Sequence, residues 1–274
     1  MTTLAIGQFE QIAEMAMQRW GLNLTERKRQ LVFNRLAKFL RESRFESIAE
    51  YLEHLESDAD DDDMLVFFDL LSTNVTSFFR EIQHFEYLER EFYTALARGN
   101  LKLQNRRIRI WSAACSTGPE PYSLAIHATK CLPDIDSWDF KILATDLSNS
   151  AIAEAEQATY PEKMIKDLDG ELVKKHFFKG KGSNAEQYQV AKHIRDLVTI
   201  RRLNLIDNWP IKGPFDIIFC RNVMIYFDKP TREKLVLRMY NILRPGGILA
   251  VGSAETLSGL ETKFQTVQPS VYVK

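Results

Sequence analysis

The sequence predicts an α/β protein in which a doubly wound, mostly parallel sheet follows an all-helical N-terminal part. Residues 5–98 show helical periods and no convincing strand, whereas short apolar runs alternate with helical stretches after residue 107. Such alternation is typical of parallel sheets with crossover helices. The last segment, residues 264–273, is strand-like but is interrupted by Pro269, which favours an antiparallel strand at or near an edge.

The composition is that of a globular protein without an export signal or a membrane span. The chain has 274 residues, of which 45% are hydrophobic and 27% are charged, so it can bury one large core or two modest ones. No run approaches the roughly 18 apolar residues of a membrane helix, and the first ten residues lack the basic and apolar regions of a signal peptide. A net charge of −1 gives no support for general binding to nucleic acid or membranes.

Cysteine usage indicates a reducing compartment. Cys115, Cys131 and Cys220 lie far apart and form no CxxC pair. This spacing argues against a disulfide scaffold and against a cysteine zinc site. Together with the missing export signal, it predicts a cytoplasmic protein.

The predicted elements divide the chain into a helical N-terminal domain (residues 1–90), a linker (91–107) and an α/β domain (108–274). Within the α/β domain the pattern predicts strands at residues 108–114, 141–145, 198–203, 215–220 and 248–252, and helices at residues 121–131, 149–158 and 231–243. Residues from about 160 to 196 differ in character, because a Gly180-Lys-Gly182 turn has aromatic residues on both sides. We therefore expect a small inserted β-subdomain there.

The helical domain is strongly polarised in charge. Residues 19–44 contain eight Lys or Arg and two Glu, whereas residues 46–63 contain nine Asp or Glu and no Lys or Arg. On a helical wheel, residues 27–45 separate an apolar face (Val32, Phe33, Leu36, Phe39 and Leu40) from a basic face (Arg27, Lys28, Arg35, Lys38 and Arg41). The basic face is either an ordinary solvated surface or a docking face for an acidic protein partner.

The acidic run at residues 58–63 does not match a calcium-binding loop. Such a loop needs glycine at its sixth position and a bidentate glutamate at its twelfth, where this chain has Asp63 and Asp69. A solvated acidic turn before a helix at residues 64–71 fits better, because Asp near a helix start interacts favourably with the helix dipole. The sequence predicts no metal site.

The loop after the first predicted strand disfavours a dinucleotide. A dinucleotide fold places GxGxxG there, so that a pyrophosphate reaches the helix N-terminus, but this loop has one glycine, Gly118, followed by Pro119 and Glu120. A carboxylate suits a positively charged ligand group, such as the ammonium group of an amino acid. An ordinary turn with an exposed Glu120 is the alternative.

The second predicted strand ends at Asp146, where an acidic residue can hold a ribose diol. Asp146 could instead cap the next helix. Taken together, a carboxylate for an ammonium group and a carboxylate for a ribose describe an adenosyl amino acid, and S-adenosylmethionine fits that description. The sequence has no GxSxG, P-loop or HExxH motif, so it predicts a methyltransferase.

Longer motifs add a family resemblance that covers nearly the whole chain. Residues 73–81 (TNVTSFFRE), 113–123 (AACSTGPEPYS), 215–228 (FDIIFCRNVMIYFD), 245–247 (PGG) and 252–255 (GSAE) resemble the chemotaxis receptor glutamate methyltransferases of the CheR type. Pro119 departs from the family, which usually has a glutamate there. The resemblance implies a Rossmann-like S-adenosylmethionine-dependent domain with a β-subdomain insertion.

The resemblance also implies a set of site residues without a metal. Tyr226 and Arg80 would act in catalysis, Arg80 would also bind the cofactor, and the remaining cofactor-binding residues would be Asn74, Thr76, Glu120, Asp146, Asn204, Leu205, Arg221 and Asn222. Asn74, Thr76 and Arg80 would close over the cofactor, Asn204 and Leu205 would bracket the adenine, and Arg221 and Asn222 would lie along the methionine part. Tyr226 would face the methyl group. Alternatively, Tyr226 packs beside Phe227 and Arg80 pairs with Glu81 or Glu86.

The function implied is methyl transfer to glutamate carboxylates of receptor cytoplasmic domains, which yields methyl esters and S-adenosylhomocysteine. The basic helix, residues 27–45, and the β-subdomain would contact the receptor, the enzyme would be a monomer, and nucleic acid binding and membrane insertion are not expected. Two alternatives stay open: a methyltransferase with another substrate, and a non-catalytic adaptor that keeps the fold.

Overall fold

A computed structural model describes residues 4–101 and 103–274. It contains ten strands, β1 (Arg107–Ala113), β2 (Asp139–Asp146), β3 (Thr159–Pro161), β4 (Phe177–Lys179), β5 (Gln187–Val190), β6 (Val198–Arg202), β7 (Phe215–Cys220), β8 (Leu243–Val251), β9 (Gln265–Gln268) and β10 (Val271–Val273). Eleven α-helices in the described residues are α1 (Ile6–Trp20), α2 (Arg29–Glu42), α3 (Ile48–Ser57), α4 (Asp61–Leu71), α5 (Gln83–Tyr87), α6 (Thr94–Ala97), α7 (Pro119–Cys131), α8 (Asn149–Gln157), α9 (Gly170–His176), α10 (Lys192–Arg195) and α11 (Lys229–Ile242). Within these described ranges, no helix is long and apolar enough to cross a membrane.

The main sheet has seven strands in the order β6-β2-β1-β7-β8-β10-β9. The first five are parallel to their neighbours, whereas β10 pairs antiparallel with both β8 and β9. The predicted α/β class is therefore confirmed, as is the antiparallel end of the chain. The single strand expected at residues 264–273 is two strands joined by a turn at Pro269 and Ser270, where Ser270 has a φ of 64°.

The predicted β-subdomain is a separate antiparallel sheet of three strands in the order β3-β5-β4. The turn at Gly180 joins β4 to β5, and a Cβ at Gly180 would lie 2.1 Å from the carbonyl oxygen of Asn184, so the turn needs glycine there. This order leaves β3 and β4 at the two edges.

The helical domain follows the charge pattern closely. The acidic run overlaps the start of α4, which begins at Asp61 instead of residue 64 as predicted, and the Asp60 side chain accepts a hydrogen bond of 2.9 Å from the Asp63 backbone N–H. This N-cap satisfies one of the free N–H groups at the helix start. The helix predicted at residues 27–45 is shorter than expected, because Glu26–Lys28 form a 3-10 turn before α2 begins at Arg29.

Part of the predicted linker is helical. Helix α5 continues through a π-helical segment, Leu88–Tyr93, into α6, so the helix runs past residue 90 to Ala97. Phe85, Leu88 and Phe92 are buried in one cluster with Ile108 and Ile110 of β1. This helix therefore packs into the core of the α/β domain. The domain boundaries at residues 90 and 107 stay a prediction.

The helical domain lies over the carboxyl ends of the parallel strands. Trp20 of α1 and Phe67 of α4 belong to the same buried cluster as Trp111 of β1 and Leu203, which follows β6. Ligands of doubly wound sheets bind at this edge. A cleft between the two domains is therefore the place to look for a site.

Candidate active site

One cavity at the carboxyl edge of the sheet brings together every predicted site residue. Its lining includes Asn74, Thr76, Arg80, Glu120, Asp146, Asn204, Leu205, Arg221, Asn222 and Tyr226. Helical-domain residues that the sequence did not single out, among them Trp20, Phe68 and Leu71, complete the wall together with Lys28, which the sequence had assigned to the basic face. The cavity thus forms between the two domains. The roles of the individual residues stay predictions.

Glu120 is held in the first turn of α7 by a backbone that requires glycine. Gly118 has a φ of +100°, and a Cβ there would lie 2.7 Å from the Tyr160 hydroxyl. Oε1 of Glu120 accepts a 2.7 Å hydrogen bond from Ser112 Oγ, and Oε2 lies 3.2 Å from Nη1 of Arg221. Burial raises the pKa of Glu120, although the Arg221 guanidinium opposes the rise. The alternative of an ordinary turn with an exposed glutamate is wrong.

Asp146 joins two neighbouring strand ends. Its carboxylate accepts hydrogen bonds from the backbone N–H groups of Ser116 (2.7 Å), Leu147 (2.8 Å) and Ser148 (3.0 Å). The cap of α8 is instead Ser148, whose hydroxyl accepts from Ala151 N. Burial raises the pKa of Asp146, and the backbone N–H groups counteract this. A carboxylate has room for about four hydrogen bonds, so Asp146 can still accept one from a ligand.

Arg221 forms the centre of a buried ion triad. Its side chain is 2% exposed and lies 3.1 Å from Glu81 and 3.2 Å from Glu120, and it also donates to the Arg80 carbonyl. Glu81 accepts a further bond of 3.1 Å from Ser253 N. Burial alone would raise the pKa of Glu81, but the Arg221 guanidinium and the Ser253 bond lower it overall. The Arg221 guanidinium thus connects the loop after β7 with the segment before α5 and with the first turn of α7.

Glu255 is a residue whose function the sequence did not predict. Its buried carboxylate accepts backbone hydrogen bonds from Gly252 (2.6 Å), Asn222 (2.8 Å) and Ile225 (3.1 Å). A Cβ at Gly252 would lie 2.5 Å from Nδ2 of Asn222. Glu255 therefore holds the loop that carries Arg221, Asn222 and Tyr226. The GSAE motif at residues 252–255 is the sequence feature that could have indicated this role.

Tyr226 lies against the helical domain at the cleft. The Lys28 ammonium is 4.1 Å from the centroid of its ring, and Asn23 N donates a 2.7 Å bond to its carbonyl. Burial raises the pKa of Tyr226, and burial followed by the nearby Arg35 lowers the pKa of Lys28. Tyr226 thus keeps its hydroxyl proton at neutral pH.

The remaining predicted residues make local contacts around the cavity. Nη1 of Arg80 donates a 3.0 Å bond to the Val75 carbonyl, whereas Glu81 pairs with Arg221. Nδ2 of Asn74 lies 3.4 Å from the Ser148 hydroxyl, and Nδ2 of Asn204 lies 3.4 Å from the Arg19 carbonyl. Asn74 thus contacts the α/β domain and Asn204 contacts the helical domain, so both residues line the cavity where the two domains meet.

The donor set fits S-adenosylmethionine. Two buried carboxylates at neighbouring strand ends, Glu120 and Asp146, match an ammonium group and a ribose diol, and the apolar wall of Trp20, Phe68 and Leu205 can accommodate a flat base. A pyrophosphate would meet carboxylates instead of free N–H groups. The cavity therefore favours an adenosyl amino acid over a dinucleotide.

Comparisons with known proteins agree with this site. A family model described as the CheR methyltransferase SAM binding domain matches residues 74–273, and one described as the CheR methyltransferase all-alpha domain matches residues 7–72. Chemotaxis protein methyltransferase 2 of Pseudomonas aeruginosa is 41% identical over 265 residues, which cover 96% of this chain and 91% of that protein. The probable chemotaxis protein methyltransferase of Rhizobium etli is 38% identical, covering 87% and 88%.

The chemotaxis protein methyltransferase of Escherichia coli is 33% identical over 270 residues, covering 98% of this chain and 91% of that protein. The resemblance inferred from the motifs is confirmed, and so is S-adenosylmethionine as the cofactor, because the matched domain is defined by its binding. Since both domains match along nearly all of its length, the chain belongs to the CheR methyltransferase family, the S-adenosylmethionine-dependent methyltransferases that the motifs of its cleft indicated.

Proposed function

We propose that this protein methylates glutamate side chains of chemotaxis receptors, forming glutamate methyl esters and S-adenosylhomocysteine. The single observation that carries the proposal is the shared cavity, in which Glu120 and Asp146 lie beside Arg80 and Tyr226. The relatives named chemotaxis protein methyltransferases support the choice of receptor. S-adenosylmethionine, when bound, supplies an electrophilic methyl group on a sulfonium.

The binding residues divide the cofactor between them. Asp146 would accept hydrogen bonds from the ribose, and Glu120 would attract the ammonium group while it stays paired with Arg221. Asn204 and Leu205 would hold the adenine, and Asn222 would hold the methionine part. Asn74 and Thr76 cover the cleft from the segment that follows α4.

The catalytic residues act without a general base. A glutamate side chain has a pKa near 4.3 and is already anionic at neutral pH. One carboxylate oxygen forms a bond to the methyl carbon, the carbon–sulfur bond breaks, and its electron pair stays on sulfur, so no proton moves. Tyr226, whose hydroxyl stays protonated, and Arg80 orient the carboxylate. Holding reactants in attack geometry can supply roughly 7–11 kcal/mol.

Transfer of label tests this proposal. The full chain is incubated with methyl-labelled S-adenosylmethionine and a receptor cytoplasmic fragment. We expect label on the fragment that mild alkali releases, since carboxyl methyl esters hydrolyse there. Label that survives alkali, or label on nucleic acid or a small molecule, would refute it. Tyr226→Phe and Arg80→Met should lower the rate, while a structural control, Tyr240→Phe in α11, should keep it.

For the receptor contact we propose the outer basic face of α2. Arg35 is unsuited, because it donates to the carbonyls of Leu70 (3.1 Å) and Ser72, and Lys28 faces the cavity. Lys38 and Arg41 of α2 are exposed, and so is Arg27 in the 3-10 turn that precedes it. These three side chains form the surface that we propose for an acidic segment of the receptor.

Charge reversal tests that surface. Lys38→Glu with Arg41→Glu should raise the Michaelis constant for the receptor and leave cofactor affinity unchanged. The effect should shrink in 1 M salt, where the Debye length is about 3 Å. Lys229→Glu with Lys234→Glu, which also reverses two charges at exposed positions of α11, is the matched control. Equal effects of both variants would return α2 to an ordinary solvated face.

A second proposed contact is the edge strand β4. Phe178 on this strand is 64% exposed, and an exposed strand edge can add an extended peptide through main-chain hydrogen bonds. We expect a C-terminal receptor peptide to bind there and Phe178→Asp to weaken it, whereas Val267→Asp on β9, also at an exposed apolar residue, should not. A dissociation constant above about 1 mM (−4 kcal/mol) would exclude this tether. The monomeric state stays a prediction, which sedimentation would test.

A further inference from the structure

A cluster of three metal-ligating side chains lies away from the cleft. Glu89 belongs to the π-helical segment, and His127 and Cys131 lie one turn apart on α7, so all three meet where that helix pair packs together. Glu120 is seven residues before His127, which is about 10 Å along a helix at 1.5 Å per residue. The cluster is thus separate from the cofactor cavity.

Two of the three distances within the cluster match the edges of a tetrahedral site. Nε2 of His127 lies 3.4 Å from Oε2 of Glu89 and 3.6 Å from Sγ of Cys131, and the three ligand atoms lie within 4.8 Å of one another. Zinc bonds of about 2.0 Å to N or O and 2.3 Å to S, at tetrahedral angles, separate N from O by about 3.3 Å and N from S by about 3.6 Å. One ion can therefore reach all three atoms after a small rotation of Glu89, whose side chain is 48% exposed.

The three ligand types are those that bind zinc: an imidazole nitrogen, a thiolate and a carboxylate oxygen. The His127 side chain is 6% exposed, and its Nδ1 has no hydrogen-bond partner among the residues that the structure describes, so Nε2, on the cluster side, is the interacting atom. A metal binds the thiolate form of cysteine, so binding here would release the Cys131 thiol proton.

Lys130 is the local competitor. Its ammonium lies 3.1 Å from Oε2 of Glu89, but the side chain is 69% exposed and free to turn into solvent. A divalent ion would replace one positive charge next to Glu89 with two.

We propose that Glu89, His127 and Cys131 bind a thiophilic divalent transition metal, zinc by the chemistry of the set, with the fourth position open to water. The His-x3-Cys spacing escapes a search for cysteine pairs, which is why the sequence did not suggest it. An ion there would clamp the helix of residues 83–97 to α7, the helix that carries Glu120.

Cobalt(II) titration of the full, untagged chain, reduced with a phosphine and freed of metal, tests the proposal. We expect one equivalent to produce a thiolate-to-cobalt charge-transfer band and the intense visible bands of tetrahedral cobalt, and zinc to displace them. Cys131→Ser should abolish the charge-transfer band and weaken zinc binding by more than the 10–100-fold that an outer-shell change costs. Glu89→Gln, at an exposed position that cannot disturb the core, should weaken it in the same direction.

Lys130→Ala gives the sharpest test, because the proposal predicts tighter binding, about three- to tenfold, when the competing ammonium is removed. If the Glu89–Lys130 ion pair were purely structural, Lys130→Ala would leave the zinc affinity unchanged. Absence of a thiolate band in the native chain would overturn the proposal. A band that persists in Cys131→Ser, or zinc affinity unchanged by both Glu89→Gln and Lys130→Ala, would also overturn it.

Discussion

Replacing Arg221 with methionine should destabilise the fold severely. The side chain is 2% exposed, and its two partners, Glu81 and Glu120, are 15% and 13% exposed, so neither carboxylate can recover full hydration. Removing one partner of a buried ion pair costs about 3–5 kcal/mol, and this change leaves two carboxylates unpaired. We expect a loss of free energy of unfolding in that range.

Denaturant titration with a double-mutant cycle measures this loss. Glu120→Gln in the Arg221→Met background should restore about 1–3 kcal/mol, because it removes one of the stranded charges. Arg106→Met is the matched control, since Arg106 and Asp134 form an exposed pair (52% and 59%) that is worth about 0–1 kcal/mol. A loss at Arg221 no larger than at Arg106, or no recovery with Glu120→Gln, would refute the triad.

Three further predictions concern the cleft and its supports. Asp146→Ala should weaken S-adenosylmethionine binding by about 1.5–3 kcal/mol in calorimetry; unchanged affinity in a folded variant would contradict the site. Glu255→Gln should place an amide donor against backbone N–H groups and lower kcat. The same substitution at Glu261, an exposed residue, is the control, and equal rates for the two variants would count against a role for Glu255 in holding the loop. Burial lowers the pKa of His84 from 6.5 to about 4 in the folded protein. As the pH falls below 6.5, the unfolded state therefore binds a proton that the folded state does not, and the free energy of unfolding should fall by about 3 kcal/mol between pH 6.5 and 4. This acid loss should be smaller in His84→Leu, and equal slopes would refute it.

The strands and the positions of Glu120 and Asp146 could be predicted from the sequence because both depend on local pattern. Apolar runs mark β1, β2 and β7, and the carboxyl ends of parallel strands lie at one edge of the sheet. Asp146 is the last residue of β2, and Glu120 lies in the first turn of α7, the helix that follows β1. Their meeting in one cavity is therefore a consequence of topology.

The partners of those carboxylates could not be predicted in this way. Glu81, which pairs with Arg221, adopts a φ of +56°, a left-handed conformation that residue preferences do not suggest for glutamate. The Glu255 contacts depend on backbone N–H groups, which look alike in every sequence. Most of these hydrogen bonds join residues that are far apart in the sequence and form only when the chain folds, so no local sequence pattern predicts them.

Lys28 shows how a correct pattern can mislead in detail. The wheel assumes an α-helix from residue 27 and puts Lys28 on the outer basic face, but Glu26–Lys28 form a 3-10 turn with a different rotation per residue. The ammonium therefore lies over Tyr226. The π-helical segment, Leu88–Tyr93, was missed for a related reason. A helical wheel assumes 3.6 residues per turn and cannot detect the wider turn of a π-helix.

Mapping the methylated atom tests the central claim most directly. A receptor cytoplasmic fragment is incubated with the full chain and S-adenosylmethionine, digested, and sequenced by tandem mass spectrometry, with Asp146→Ala as the matched enzyme control. We expect a methyl ester on glutamate side chains, made by the native chain and strongly reduced with Asp146→Ala. A methyl group on another type of residue, or equal labelling by both enzymes, would contradict it.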